Sequence, residues 1–282
     1  MNCLKKVSHY QMHYMMLKAI FFVVALSSLC SVTNAQKYSG GSGTSSDPYQ
    51  IATTDDLIEL SNTPSDWSST NKPYFNYFIQ TADIIFPEDS SSFDWDGDST
   101  IVWNGDGTGD DEKGFKPIGV SGTRFDGIYD GQHFTIYNLF INRPSTNHVG
   151  LFGYAQKFII RPDNPPGILN VRLKNARIRG KENTGCIVGN LVDPDNKIRN
   201  SSCSGTVKGN KNVGGLIGKT QEPISRSTFF GNIIASGSEV GGIVGMTDYE
   251  DNSDMYSISL TTGRYTVGGL VGYTSDSEYN NT

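Results

Sequence analysis

The chain has 282 residues, a formal net charge of −6 and 32 glycines, with 18% of its residues charged. An acidic chain without a basic run argues against nucleic acid, and against an anionic membrane surface, as partners. Its glycine content suits a turn-rich β fold better than a helical one.

Residues 1–35 read as an export signal. Lys5, Lys6 and Lys18 give a positive leader, Ala19 to Leu29 an apolar core, and Thr33-Asn34-Ala35 a small-residue exit. Cleavage after Ala35 would leave a chain starting at Gln36 with a net charge of −9 and no transmembrane anchor. An uncleaved anchor is the competing reading, but the apolar run is too short to span a bilayer. A lipoprotein through Cys30 is another, yet Leu29 stands where a small residue is expected. Only Cys186 and Cys203 follow the leader, too few for a disulfide-stapled scaffold.

Residues 36–114 read as an N-terminal cap with an acidic loop. Gln36 to Ser46 is a Gly/Ser-rich lead-in. Thr53 and Asp56 fit a capping box ahead of Leu57, Ile58 and Leu60, which predicts a short helix covering the open end of a sheet stack. Tyr74, Phe75, Tyr77 and Phe78 pack under that cap or form a sugar-stacking platform; burial is the commoner fate of such residues. Thr81 to Phe86 is expected to be the first strand.

The 94–112 segment places Asp94, Asp96, Asp98, Asn104, Asp106 and Asp110 among glycines. Oxygen donors at alternate positions, with glycine letting the loop curl, are what a hard cation needs, so calcium is the expected cofactor. The twelfth position, counted from Asn104, is Phe115 rather than a bidentate glutamate, and a solvated acidic insertion fits as well.

Residues 115–282 carry repeats. Val267-Gly268-Gly269-Leu270-Val271-Gly272 is the last of five related blocks, whose closing glycines are Gly153, Gly189, Gly218, Gly245 and Gly272. The steps are 36, 29, 27 and 27 residues, a period that marks a repeat architecture. Strands of four to six residues between glycine turns can stack on their own copies about 4.8 Å above. A β-propeller is the runner-up, but its blades need roughly 40 residues. Aligned strands before the blocks put Asn138, Asn170 and Asn200 in one column, and Ile141, Leu173, Cys203 and Phe229 in another that points inward. Cys186 replaces the second glycine of its block. Because Cys186 and Cys203 fall on different faces of a coil, two buried free thiols are expected rather than a bridge.

These blocks, with Gly43-Thr44-Ser45-Ser46-Asp47-Pro48-Tyr49-Gln50-Ile51 and Asp130-Gly131-Gln132-His133-Phe134-Thr135-Ile136, resemble the GLUG-motif repeats of bacterial secreted and surface proteins. The resemblance implies a right-handed parallel β-helix, an all-β solenoid, with an adhesin-like role at the outside of a bacterial cell. It also implies that such repeats occur as accessory regions of extracellular enzymes.

Of catalytic candidates, His133 and His148 lack spaced His or Cys partners for zinc. Asp126 and Asp130 are the paired carboxylates a polysaccharide-cleaving enzyme would use, but Asp-Gly turns arise for backbone reasons alone. The expectation is therefore no enzyme and no catalytic residue. The expected role is a binding or stalk protein that meets an extracellular protein or glycan surface; a carbohydrate-active enzyme or accessory domain on a pectin-lyase-like β-helix is the alternative. The segments between blocks, such as Asp193 to Lys197 and Asp248 to Asp254, are expected on outer turns, and Val267, Leu270 and Val271 at an open end.

Overall fold

The structure, a computed structural model, describes residues 37–68, 76–156, 167–192, 198–248 and 252–275. The leader, Tyr74, Phe75, residues 193–197 and residues 249–251 lie outside the described residues.

The chain winds as a parallel β-solenoid. One face has seven rungs: Tyr49–Ile51, Tyr77–Gln80, Ile128–Asp130, Ile168–Leu169, Ile198–Arg199 and the starts of Ile224–Ala235 and Ser253–Thr262. Every pairing between these strands is parallel. The stack thus begins at Tyr49, ahead of residue 115, where sequence periodicity placed it. The later parts of Ile224–Ala235 and Ser253–Thr262 continue a long second face with Ile84–Ile85, Thr135–Tyr137, Arg172–Arg179 and Ser202–Gly209. Two further sheets carry the glycine blocks. One joins Glu182–Thr184 to Lys211–Gly214, Val240–Gly241 and Val267–Gly268; the other runs from Phe152–Gln156 through Val188–Val192, Ile217–Thr220 and Val244–Thr247 to Val271–Thr274.

The blocks need glycine for closeness. A Cβ on Gly241 would lie 2.0 Å from the Val244 carbonyl oxygen and 2.5 Å from Gly272 N. A Cβ on Gly215 would lie 2.3 Å from Phe229 Cγ. Between the glycines, Leu151, Ile187, Leu216 and Ile243 fill the interior and are fully buried.

Corners are turned by left-handed residues in columns. His148, Asn183, Asn212, Glu239 and Thr266 have φ of 60°, 53°, 52°, 56° and 48°. Register stacks them, because Thr184, Val213, Val240 and Val267 pair in turn. Asn212 Nδ2 donates to Asn183 Oδ1 at 2.6 Å, and Asn183 Nδ2 contacts His148 Nδ1 at 3.0 Å. Asparagine tolerates this conformation and closes a hydrogen bond up the stack. A second column holds Asn170 and Asn200, with φ of 55° and 51°; Asn200 Nδ2 donates to Asn170 at 3.3 Å, and Asn170 Nδ2 to the neighbouring Asp130 at 2.8 Å. Asn138 does not belong to it. Thr135–Tyr137 pairs with Arg172–Lys174, so Asn138 meets Asn175, whose Nδ2 donates to it at 2.8 Å.

The expectation of free thiols is overturned: Cys186 and Cys203 form a disulfide, with Cα atoms 6.5 Å apart. Different faces of a coil share one interior, and both positions point into it. The next block shows the same geometry, with Gly215 facing Phe229. Glycine is required opposite the ring; a second cysteine fits opposite Cys203.

At the other end, Thr53 caps α1 (Thr54–Asn62) in a complete capping box with Asp56. The short α2 (Pro64–Trp67) follows. Trp67 is buried, donates to the Leu60 carbonyl at 2.7 Å and lies 6.1 Å from the Phe125 ring. Phe78 is fully buried beside them. Strand is shorter here than expected: Thr81 to Asp83 form a bend, leaving Ile84–Ile85. In the final described coil, Val267 is 46% and Leu270 39% exposed, while Val271 is half-buried.

Candidate functional site

Two surface regions combine chemistry with fixed geometry. The first is the acidic loop. It is anchored by Trp95, which is buried, stacks on Phe86 at 4.9 Å and donates from Nε1 to the Ser90 carbonyl at 2.8 Å. Two buried acids then tie the loop to itself. Asp111 accepts the backbone N–H of Trp95 at 2.5 Å and of Val102 at 2.7 Å. Glu112 accepts those of Gly105 and, at 3.0 Å, Gly109.

Of the six donors selected from the sequence, Asp94 and Asp96 come together, and they meet Asp111, which sequence spacing did not single out. One carboxylate oxygen from each lies within 4.8 Å of the others. Burial pushes the Asp96 carboxyl above its usual range, and the charges of Asp98 and Asp111 and a hydrogen bond with Asp94 add to the effect. Asp98 and Asp106 are spent elsewhere. Each accepts the hydroxyl and the backbone N–H of the threonine two residues on, Thr100 and Thr108, which holds both carboxyls below their usual range. Asn104 donates to Thr108 Oγ1 at 3.1 Å, and Asp110 precedes the 3-10 turn Asp111–Lys113. The three-carboxylate cluster fits a hard cation in donor type. It supplies three of the roughly six to eight oxygens calcium takes, so backbone carbonyls and water would complete the shell.

The second region is a groove of about 380 Å³ on the long face, lined by Phe140, Asn142, Arg177, Arg179, Thr206 and Lys208 over the buried Ile141 and Ile178. Alternation along Arg172–Arg179 turns Arg172, Lys174, Arg177 and Arg179 outward. Arg177 lies 5.0 Å over the Phe140 ring and donates to the Glu88 carbonyl at 3.1 Å. Arg179 and Lys208 stand directly opposite one another on adjacent coils. Among the described residues neither has an ion-pair partner. Trp103 reaches the same rim, with its ring 5.9 Å from that of Phe140. Beyond the groove the long face turns apolar, with Phe230, Ile258 and Leu260 exposed.

Of the carboxylates and histidines weighed for catalysis, Asp130 and His148 are built into the stacking of the coils. Asp130 accepts from the Gln132 backbone at 2.9 Å and from Asn170 at 2.8 Å. Asp126 is buried, and its N–H donates to the Trp67 carbonyl at 3.0 Å. His133 is an exposed left-handed turn residue. His148 belongs to the corner column, and burial pushes its imidazole below the usual range against the opposing charge of Glu182.

No family model matches the chain. The sequence is similar to Halomucin from Haloquadratum walsbyi, with 35% identity over 187 residues, covering 64% of this chain and 2% of that protein. It is also similar to a protein named as a Gly-rich membrane protein from Evansella cellulosilytica, with 25% identity over 150 residues, covering 53% of this chain and 14% of that one. The chain therefore spans a small fraction of the length of either relative. A solved Bacteroides ovatus structure, named for an immunoglobulin A1 protease, aligns over 83% of this chain and 87% of its own at 16% identity and a TM-score of 0.38. Among the described residues no helix is long and apolar enough to cross a membrane. The solenoid and the two relatives fit a surface or secreted repeat protein.

Proposed function

We propose that this protein is an exported, adhesin-like repeat protein of the GLUG type that binds at the outside of a bacterial cell and is not an enzyme. The observation that supports this is the division of labour within each coil. Glycine-block and corner residues are committed to stacking, while the long face presents outward side chains that differ from rung to rung. Such a surface suits recognition, because its scaffold is rigid and its outward residues are free to vary. The leader at residues 1–35, with cleavage after Ala35, supplies the route. We propose further that calcium is taken by Asp94, Asp96 and Asp111, which would stiffen the loop at the rim of that face.

The test is attachment. Beads coated with the purified protein are measured against host matrix, glycans and bacterial cells, beside beads carrying an unrelated solenoid. Attachment above that control is expected; equal attachment would reduce the protein to a spacer. Turnover of a polysaccharide, abolished by Asp126→Ala or Asp130→Ala, would overturn the non-enzymatic reading.

A further inference from the structure

We propose that the groove over Phe140, Arg177, Arg179, Thr206 and Lys208 binds an anionic carbohydrate: an acidic polysaccharide whose carboxylate or sulfate groups are taken by Arg179 and Lys208. The inference deepens the binding role above and rests on it.

Three observations converge. The first is the placement of charge. The chain carries an excess of acids, with 29 against 23 basic residues, yet this groove is lined by three cations and no acid. Acids lie outside the lining: Asp89 is held low chiefly by hydrogen bonds from Ser91 and in smaller part by Arg177, and the acidic loop that carries Trp103 borders the rim.

The second is register. Arg179 and Lys208 are directly paired across neighbouring strands. Like charges in that relation repel, and solenoid stacking fixes them one rung apart. Arg177 has a tether through Glu88 and Phe140, whereas Arg179 and Lys208 have no counter-charge among the described residues. A bridging anion relieves the repulsion. Arginine offers a planar fork for carboxylate or sulfate, and lysine a mobile point charge.

The third is what surrounds the charges. Phe140 is half-exposed, and Trp103 lies beside it at the same rim. Thr206 and Asn142 add neutral hydrogen-bonding groups. Ring faces beside hydroxyl and amide groups suit a sugar, which has an apolar face and a polar edge. Nucleic acid fits less well. Three cations neutralise few phosphates, whereas nucleic-acid affinity is built on many such contacts.

The test is calorimetric titration of the purified protein with dextran sulfate, polygalacturonate and neutral dextran, with duplex DNA as a further arm. Binding of dextran sulfate or polygalacturonate is expected, weakening as salt is raised, with no heat from neutral dextran. The polymer preferred tells sulfate from carboxylate. The R179Q/K208Q double variant changes only exposed side chains and should melt with the parent, yet it should bind about tenfold or more weakly. Trp103→Ala should weaken binding without altering its salt dependence. The proposal is overturned if neither charged polymer binds, if DNA binds more tightly than both, or if R179Q/K208Q keeps full affinity. Failure here is separable from failure of the binding role. A protein whose beads attach to cells or matrix while ignoring both charged polymers keeps that role and loses this site.

Discussion

Cys186 and Cys203 are joined across the interior of the solenoid, and they belong to successive coils, 17 residues apart. The bond closes a short loop, for which chain-entropy arguments give a stabilisation of about 3 kcal/mol. C186S/C203S should lower the urea midpoint accordingly, and alkylation before reduction should label neither cysteine of the native protein. Full labelling without reductant would contradict the bond. A disulfide of this kind persists in an oxidising compartment, which agrees with the export proposed.

At the corner column, two substitutions of Asn212 should destabilise by different amounts. Asn212→Ala keeps a Cβ in the left-handed region at a cost of about 1–2 kcal/mol and also loses the bond to Asn183. Asn212→Gly loses only the bond, so it should melt between the alanine variant and the parent. Equal melting of the two variants would show that backbone conformation at this corner carries no cost.

One coil further, Asn212 Oδ1 is buried without a donor, because the next residue in the column, Glu239, is an acceptor when ionised. Glu239→Asn supplies an amide and a residue more tolerant of φ near 56°. It breaks the long Lys211–Glu239 ion pair at 3.7 Å, which at the surface is worth little. A gain of about 1 kcal/mol in chemical denaturation is expected. A loss would mean the ion pair, together with the hydrogen bond from Ser238 Oγ to the Glu239 carboxylate, outweighs the ladder.

His148 makes stability depend on pH. Its folded-state pKa is depressed by burial, so between its ordinary value, 6.5, and that lower value the unfolded chain binds more protons than the folded one. This contribution to stability is intact above pH 6.5 and declines as pH falls through the window below. His148→Asn keeps an amide in the column and should flatten that part of the profile. An unchanged slope would assign the dependence to carboxylates.

If calcium is taken by the acidic loop, millimolar calcium raises the melting temperature by mass action, and Asp96→Asn removes most of the rise. Calorimetry without heat, together with an unshifted melt, would leave Asp111 and Glu112 as purely structural acids.

The repeat was legible because Gly214, Gly241 and Gly268 answer to one demand, backbone packed against backbone. The start of the stack was not. Tyr49–Ile51 and Tyr77–Gln80 are separated by two helices and a polar stretch, so no period announces them. Asn138 stands outside the Asn170 column because residues 131–134 form an extra turn that shifts one face against the next. The disulfide is not legible in spacing, because positions on two faces of a coil share one interior. Asp111 is one acid among many until the fold brings it to Asp94 and Asp96. Arg179 and Lys208 are 29 positions apart, and only coil registration makes them neighbours.

Registration also fixes how the molecule carries load. The strands lie across the solenoid axis, so backbone hydrogen bonds between coils run along it. Tension along the axis opens these bonds coil by coil, like a zip, and each freed 27-residue coil pays out about 90 Å of chain. The bond from Cys186 to Cys203 straddles two coils and withholds the segment between them. A pulled molecule should therefore lengthen in coil-sized steps, with one step shortened until the sulfurs are reduced.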